Sequence, residues 1–126
     1  SDYTFYNQLV LAAPEIDGAW EMTPIPGILQ EDGSICRNTS SSGSAAMIFA
    51  NTDDPDASWE FLKWWTEADT QVQYGRELET IQGASARWPT ANLEAMEQLG
   101  WTRTAAAALK EQWQYVYGIP EVPGGY

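Results

Sequence analysis

Residues 45–65 read AAMIFANTDDPDASWEFLKWW, and this stretch carries most of the information about the fold. The run from Ala45 to Ala50 is short, continuous and apolar, which predicts a buried β-strand. Asp54 followed by Pro55 predicts a helix start, because aspartate is a favoured N-cap and proline fits the first helical position. The stretch therefore predicts a strand that leads into a helix.

Upstream of this stretch the sequence predicts one short helix and a second strand. Residues 3–13 are apolar and aromatic at helical spacing, and Pro14 argues against continuation of the helix. The alternation from Trp20 to Ile25 predicts a strand, with Pro24 placing it at a sheet edge. Residues 27–44 have the Asp, Gly, Ser and Asn content of a loop.

Downstream of residue 65 the pattern is helical, with predicted starts near Thr66, Thr90 and Thr102. We expect stops at Gly83 and Gly118, because glycine is common just past a helix end. The predicted fold is thus α/β but rich in helix, with four to five helices and a two-stranded β element. Two strands make a marginal sheet. We therefore expect that some structural partners of these strands lie outside this chain.

Composition excludes several functional classes. The chain has 18 acidic and 6 basic residues and a formal net charge of −12, which argues against nucleic acid as a partner. It contains no histidine, which removes Ser-His and Cys-His nucleophile pairs and histidine general bases. Cys36 is the only cysteine, so neither an internal disulfide nor a multi-cysteine metal site can form. We expect no cofactor and no metal.

Three irregular segments have the chemistry to hold a polar ligand. The candidate ligand-binding residues are Ser41, Ser42, Gly43 and Ser44 in the first segment, Arg87 and Trp88 in the second, and Gly124, Gly125 and Tyr126 in the third. Hydroxyls and close backbone approach at glycine suit a ligand rich in hydroxyl groups. Each segment also has a structural alternative: a flexible surface loop, a tryptophan that joins a helix end to the core, and a frayed chain end.

Trp88 is the most informative of these residues. Pro89 holds Trp88 in an extended conformation, and Thr90 is predicted to cap the next helix. An aromatic face thereby lies beside helix N–H donors, with the Arg87 guanidinium one residue away. A tryptophan that becomes buried covers about 150–250 Å², which is worth roughly 4–6 kcal/mol at most. One stacked ring could therefore supply much of the affinity for a sugar.

Catalysis is the weaker interpretation. Glu77 and Glu79 are two residues apart on a predicted helix and face different directions, so they form no obvious pair for glycoside hydrolysis. Helix capping accounts for the aspartates at 53, 54 and 56. The sequence contains no nucleophile motif and no phosphate-binding glycine loop. We therefore expect a protein that is not an enzyme.

The order of several motifs resembles that of family 1 extracellular solute-binding proteins, in particular the large Gram-positive members. The motifs are residues 13–20 (APEIDGAW), 24–27 (PIPG), 43–48 (GSAAMI), 56–65 (DASWEFLKWW), 87–92 (RWPTAN) and 119–126 (IPEVPGGY). Ser58 stands where alanine is usual in the family, a conservative difference. The motifs are spread along nearly the whole chain, in the order expected for the family.

This resemblance implies part of one lobe of a type II periplasmic-binding-protein-like fold, with residues 1–126 forming a single fragment of the C-terminal lobe. It implies a bacterial, extracellular lipoprotein, anchored at the cell surface, that delivers a carbohydrate to the permease of an ABC importer. The other implied partner is the remainder of the parent protein. Ligand would bind between the two lobes, which close by a hinge. The ligand-contacting loops of the family would fall at Ser41 to Ser44, around Arg87 and Trp88, and at Gly124 to Tyr126.

Two alternatives from other classes remain open. One is a carbohydrate-active enzyme domain that uses paired carboxylates. The other is a helical interaction module whose exposed tryptophans dock a protein partner. The adjacent Trp64 and Trp65 bear on the second, because two neighbouring rings cannot share one face of a helix. One of these two rings should therefore be partly exposed or lie against a neighbouring piece of protein.

Overall fold

Helices supply most of the regular structure in residues 3–41 and 43–118, the part of the chain that the computed structural model describes. The α-helices are α1 (Phe5–Ala12), α2 (Pro55–Thr66), α3 (Ala68–Gln82), α4 (Leu93–Gln98) and α5 (Arg103–Trp113). Single 3-10 turns lie at Pro14–Ile16 and Ala84–Ala86. The predicted helix-rich α/β composition is therefore confirmed at this level.

Two of the helix starts follow directly from their capping residues. The Asp54 side chain accepts a hydrogen bond from the backbone N–H of Ala57 at 2.9 Å, with Pro55 at the first helical position of α2. The Thr102 hydroxyl accepts from the N–H of Ala105 at 3.2 Å and begins α5. Both caps lie where the sequence predicted them.

The predicted start of α4 at Thr90 is wrong by two residues. The Asn92 side chain caps this helix by accepting from the N–H of Ala95 at 3.0 Å. The Thr90 hydroxyl is buried and accepts from the N–H of Asn92 at 3.1 Å, so it orders the turn just before the helix. Asparagine and threonine both favour cap positions, and the sequence offers both within one turn.

Two short pairs of strands make up the β structure in the described ranges. β1 (Ile28–Leu29) and β2 (Ile35–Cys36) are antiparallel, with Ile28 opposite Cys36. β3 (Thr39–Ser41) and β4 (Val116–Gly118) are parallel, with Thr39 opposite Val116 and Ser41 opposite Gly118. The last helix, α5, was predicted to run up to a stop at Gly118. It ends at Trp113 instead, because the chain turns there into β4.

The strand predicted from Trp20 to Ile25 is wrong, since this segment joins neither strand pair. Pro24 and Pro26 remove two of the N–H donors that a ladder would need. The N–H of Ile25 instead donates to the Gln112 side chain at 2.8 Å.

The strand predicted from Ala45 to Ala50 is also wrong, and this segment is not buried. Met47 is 73% exposed and Phe49 is 72% exposed. No other strand of the described chain lies beside the segment to accept its hydrogen bonds. A run of apolar residues becomes a buried strand only where a partner covers it.

The tight turn between β1 and β2 accounts for the first strand pair. Gly33 has φ +83°, and its N–H donates to the carbonyl of Gln30 at 3.0 Å. Asp32 accepts from both the hydroxyl (2.6 Å) and the N–H (2.9 Å) of Ser34. Gly27 lies so close to β2 that a Cβ there would be 2.7 Å from the carbonyl oxygen of Cys36. Any other residue at 27 would push the strands apart.

The apolar core lies where α3, α4 and α5 meet. Its buried members are Val72, Ala95, Met96, Leu99, Ala105 and Leu109. α1 packs on the second 3-10 turn, which also contacts α3. In residues 3–41 and 43–118, no helix is long and apolar enough to cross a membrane.

Candidate functional site

Arg87 and Trp88 follow the second 3-10 turn, in the connection between α3 and α4. Successive side chains of an extended segment point to opposite sides. The two side chains accordingly contact different groups of aromatic residues. One group contains Tyr6 and Trp101, and the other contains Trp65 and Tyr74. The connection between α3 and α4 therefore links two aromatic clusters.

Arg87 is held within the protein. It is 8% exposed, and its Nη2 lies 2.8 Å from Oε1 of Glu79. The guanidinium carbon lies 5.1 Å from the ring centroid of Trp101 and 5.8 Å from that of Tyr6, both within cation–π range. These contacts explain how a charged side chain is buried, since the charge is both paired and stacked.

Trp88 is half-buried, and its polar edge is already occupied. Its indole Nε1 donates to Oε1 of Gln71 at 2.6 Å. Its ring makes edge-to-face contacts with Tyr74 at 4.9 Å and Trp65 at 6.2 Å between centroids. Trp88 therefore fastens the connection to α2 and α3. Contact of Arg87 or Trp88 with a ligand stays a prediction.

The serine-rich segment lies on the small parallel strand pair. Ser41 is the last residue of β3 and the register partner of Gly118 in β4. Gly43 and Ser44 are exposed. Ser42 lies outside the described residues, as do Gly124, Gly125 and Tyr126 of the third predicted segment.

The parallel pairing relates the first and third segments through their chain directions. In a parallel pair both chains leave at the same end. Ser41 and Gly118, each the last residue of its strand, therefore lie at the same end of the pair. No hydrogen bond, ion pair or ring contact among the described residues joins residues 39–44 to Arg87 or Trp88.

Sequence reasoning missed the residues that hold this connection in place. Gln71 is 5% exposed and donates to the carbonyl of Trp65 at 2.6 Å, while its Oε1 accepts from Trp88 and from the Thr90 hydroxyl. Glu79, which seemed unpaired in the sequence, has Arg87 as its partner. The sequence did offer one signal for Gln71, which is a polar residue at a core position of a predicted helix.

An open apolar groove was also missed. Its volume is about 660 Å³, and it lies between residues 46–52 and α2. The lining residues include Ala46, Met47, Phe49, Ala57, Phe61 and Leu62. The sequence predicted residues 45–50 as a buried strand, so the groove marks where that predicted strand lacks a partner.

A second, smaller cavity of about 150 Å³ lies between residues 17–22 and the start of α5. Its lining combines aromatic rings, carboxylates and hydroxyls, from Tyr6, Trp20, Asp17, Glu21, Thr102 and Thr104. In the part of the chain that the structure describes, no group of three or more His, Cys, Asp or Glu side chains could hold a metal ion.

Comparison with known proteins gives no relative. No family model, no curated protein and no solved structure matches the chain.

Proposed function

We propose that this chain is part of the C-terminal lobe of an extracellular, non-catalytic solute-binding protein, and that it contributes one wall of a carbohydrate site. The parent protein would capture an oligosaccharide between two lobes and deliver it to the permease of an ABC importer. It would be a bacterial lipoprotein anchored at the cell surface. Nucleic acid would not be a partner, because the net charge of −12 repels phosphate backbones.

The observation that carries this proposal is the parallel pairing of Ser41 with Gly118. It brings Ser41, a residue of the first predicted ligand segment, beside Gly118, although the two are 77 residues apart in sequence. A binding wall built from loops needs this kind of convergence. The motif order that resembles family 1 solute-binding proteins supports the same conclusion independently.

The exposed apolar surface supports the proposal that further protein covers this chain. Isolated exposed apolar residues are ordinary, but a contiguous apolar patch marks an interaction surface. Met47, Phe49 and Phe61 are each more than half exposed, and all three line one groove. One lobe fragment, taken without the rest of its sheet, would present such a surface.

A non-catalytic role fits the engagement of the carboxylates. The Glu79 carboxylate is paired with Arg87, and the Asp54 carboxylate caps α2. Both side chains therefore make structural contacts that account for their positions without a catalytic role.

Calorimetric titration against a panel of oligosaccharides tests the half-site idea. With only one wall of the site, the chain should bind an oligosaccharide with a Kd no lower than about 1 mM. This Kd corresponds to a binding free energy of about −4 kcal/mol. Submicromolar binding by this chain would contradict the half-site. Release of reducing sugar from a polysaccharide, abolished by one Glu or Asp substitution, would favour the enzyme alternative. Permease genes adjacent to the gene are expected, and adjacent genes without any permease would count against import.

The exposed aromatics of α2 favour one second candidate, a helical interaction module. Trp59, Phe61 and Trp64 are each more than half exposed, while Trp65 is partly buried against Tyr74. Aromatic residues are enriched at protein interfaces. If this reading holds, sedimentation velocity should show association with rising concentration that Trp64→Ser weakens. Ile81→Ser, a change at an exposed apolar residue of α3, is the control.

A further inference from the structure

Met47 differs from the other two methionines of the chain in its surroundings. It is 73% exposed, whereas Met96 is 2% exposed and belongs to the apolar core. Met22 lies between these extremes and is partly buried. A reagent in solution therefore reaches the side chain of Met47 directly. It reaches that of Met96 only when the core opens.

The backbone around Met47 gives the side chain no protection either. Residues 43–50 are all exposed where the structure describes them, and none donates a backbone hydrogen bond to another described residue. The groove that Met47 lines with Phe49 and Phe61 is open to solvent. Exposure of the Met47 sulfur therefore needs no local unfolding.

The chemistry open to an exposed thioether is oxidation. The sulfur of methionine is soft and polarizable, and oxidants convert it to the sulfoxide. With hydrogen peroxide, the sulfur attacks one peroxide oxygen, so that an S–O bond forms and the O–O bond breaks. The hydroxide that leaves takes the proton of the transferred oxygen and departs as water. The sulfur loses two electrons and the peroxide gains them.

We propose that Met47 is a modification site, which hydroperoxides oxidise to methionine sulfoxide ahead of Met22 and Met96. The product changes the groove, because a sulfoxide is polar where the thioether was apolar. An apolar group that packs against it would bury this polar group without a hydrogen-bond donor of its own, which is unfavourable. Oxidation of Met47 therefore weakens the packing of apolar groups in the groove. Methionine sulfoxide can be reduced enzymatically, so the change is reversible.

This inference does not depend on the proposed function. If the parent protein packs on residues 45–50, as that proposal expects, Met47 would react before the packing and be protected after it. The sulfoxide would then oppose the packing.

Peptide mapping by mass spectrometry after timed treatment of the whole chain with hydrogen peroxide locates each added oxygen atom. Met47 should gain its oxygen faster than Met22 and at least about tenfold faster than Met96, because exposure controls access of the oxidant. Mapping also separates Met47 from Cys36, whose thiol can be oxidised by peroxide too. The matched control is the same treatment in concentrated urea. There the three methionines should react at nearly equal rates, because unfolding exposes all of them.

The neutral apolar dye Nile red measures the effect on the groove. Complete oxidation of Met47 should raise the Kd for the dye at least about fivefold, since contact with the dye buries the polar sulfoxide. Met47→Leu keeps an apolar side chain and lacks the sulfur. In this variant the Kd for the dye should not respond to peroxide.

Results of two kinds would overturn the inference. Equal rates at Met47 and Met96 in the folded chain, or a faster reaction at Met22, would show that Met47 is not the selected site. An unchanged Kd for the dye after oxidation, or an equal rise in Met47→Leu, would remove the effect on the groove. Neither kind of result bears on the carbohydrate proposal, which the oligosaccharide titration tests separately.

Discussion

Two apolar regions of similar sequence character have opposite surroundings in this molecule. The helical body buries Val72, Met96, Leu99 and Leu109 where α3, α4 and α5 meet. The segment at residues 45–50 is at least as apolar, yet Met47 and Phe49 are almost three-quarters exposed. The helices pack on one another, whereas no described strand lies beside this segment.

The difference shows that an apolar segment is buried only where another segment packs against it. The apolar sequence by itself does not provide that second segment. In the helical body the partners are near in sequence, because short connections bring successive helices together. A strand obtains its partners from other strands, which are often distant in sequence. Under the proposed function, the exposed segment is the surface on which the rest of the parent protein would pack.

The largest expected effect separates the two regions directly. Leu99 packs so closely on α3 that a Cβ added at Gly75 would lie 2.7 Å from its Cδ2. Leu99→Ala leaves a cavity there and should lower the free energy of unfolding by about 2–5 kcal/mol. Phe49→Ala removes more carbon, yet it should change stability by only about 0.5 kcal/mol, because the ring is exposed. Urea denaturation measures the free energy of unfolding of both variants. Equal losses would contradict the contrast between the two regions.

A smaller effect on stability is expected at two glutamines, each of which connects separate segments of the chain. Gln71→Leu leaves the N–H of the half-buried Trp88 and the buried Thr90 hydroxyl without their acceptor and should cost about 1–3 kcal/mol. Gln112→Leu removes the acceptor from the N–H of Ile25, an exposed residue that water can reach. It should cost less, about 0.5–1.5 kcal/mol. Thermal unfolding measures the stability of both variants. If Gln112→Leu lost more stability than Gln71→Leu, the contact of Gln112 with Ile25 would be the stronger one, and the expected order would be wrong.

The smallest expected effect lies in the exposed region, at the β1–β2 turn. The pKa of Asp32 is lowered, first by the hydrogen bond from the Ser34 hydroxyl and then by the one from the Ser34 N–H. Because the folded pKa is below the unfolded one, this stabilisation is present above the unfolded pKa. It is lost as the pH falls through the lowered folded value.

NMR titration of the Ser34 amide proton should show a midpoint below the ordinary pKa of aspartate. The Asp32→Asn variant is the control, since it keeps an acceptor and removes the titration. A midpoint at or above the ordinary value would contradict the hydrogen bonds at this turn. Global stability should hardly respond, because Asp32 is fully exposed.

The sequence predicted the helices well because their signals are local. Asp54 with Pro55 marks the start of α2, and Thr102 marks the start of α5. The capping bond in each case joins residues only three apart, so a sequence pattern is sufficient to find it.

The strands and the candidate site were predicted less well because they depend on distant partners. β3 pairs with β4 across 77 residues of sequence, and no local pattern gives that register. Arg87 and Trp88 were chosen as candidate ligand contacts for their chemistry, but their partners Glu79 and Gln71 lie 8 and 17 residues away in sequence. A residue chosen for its chemistry can be engaged by the protein itself, and only the packing shows this.

Hydrogen exchange across the chain tests the central contrast most directly. None of residues 43–50 donates a backbone hydrogen bond to another described residue, whereas α3 and α5 are fully laddered helices. Mass spectrometry should therefore find the amides of residues 43–50 exchanging at nearly the rate of an unfolded peptide, with strong protection in α3 and α5. Protection of residues 43–50 equal to that of α3 would contradict the account, since the segment would then already have its partner within this chain.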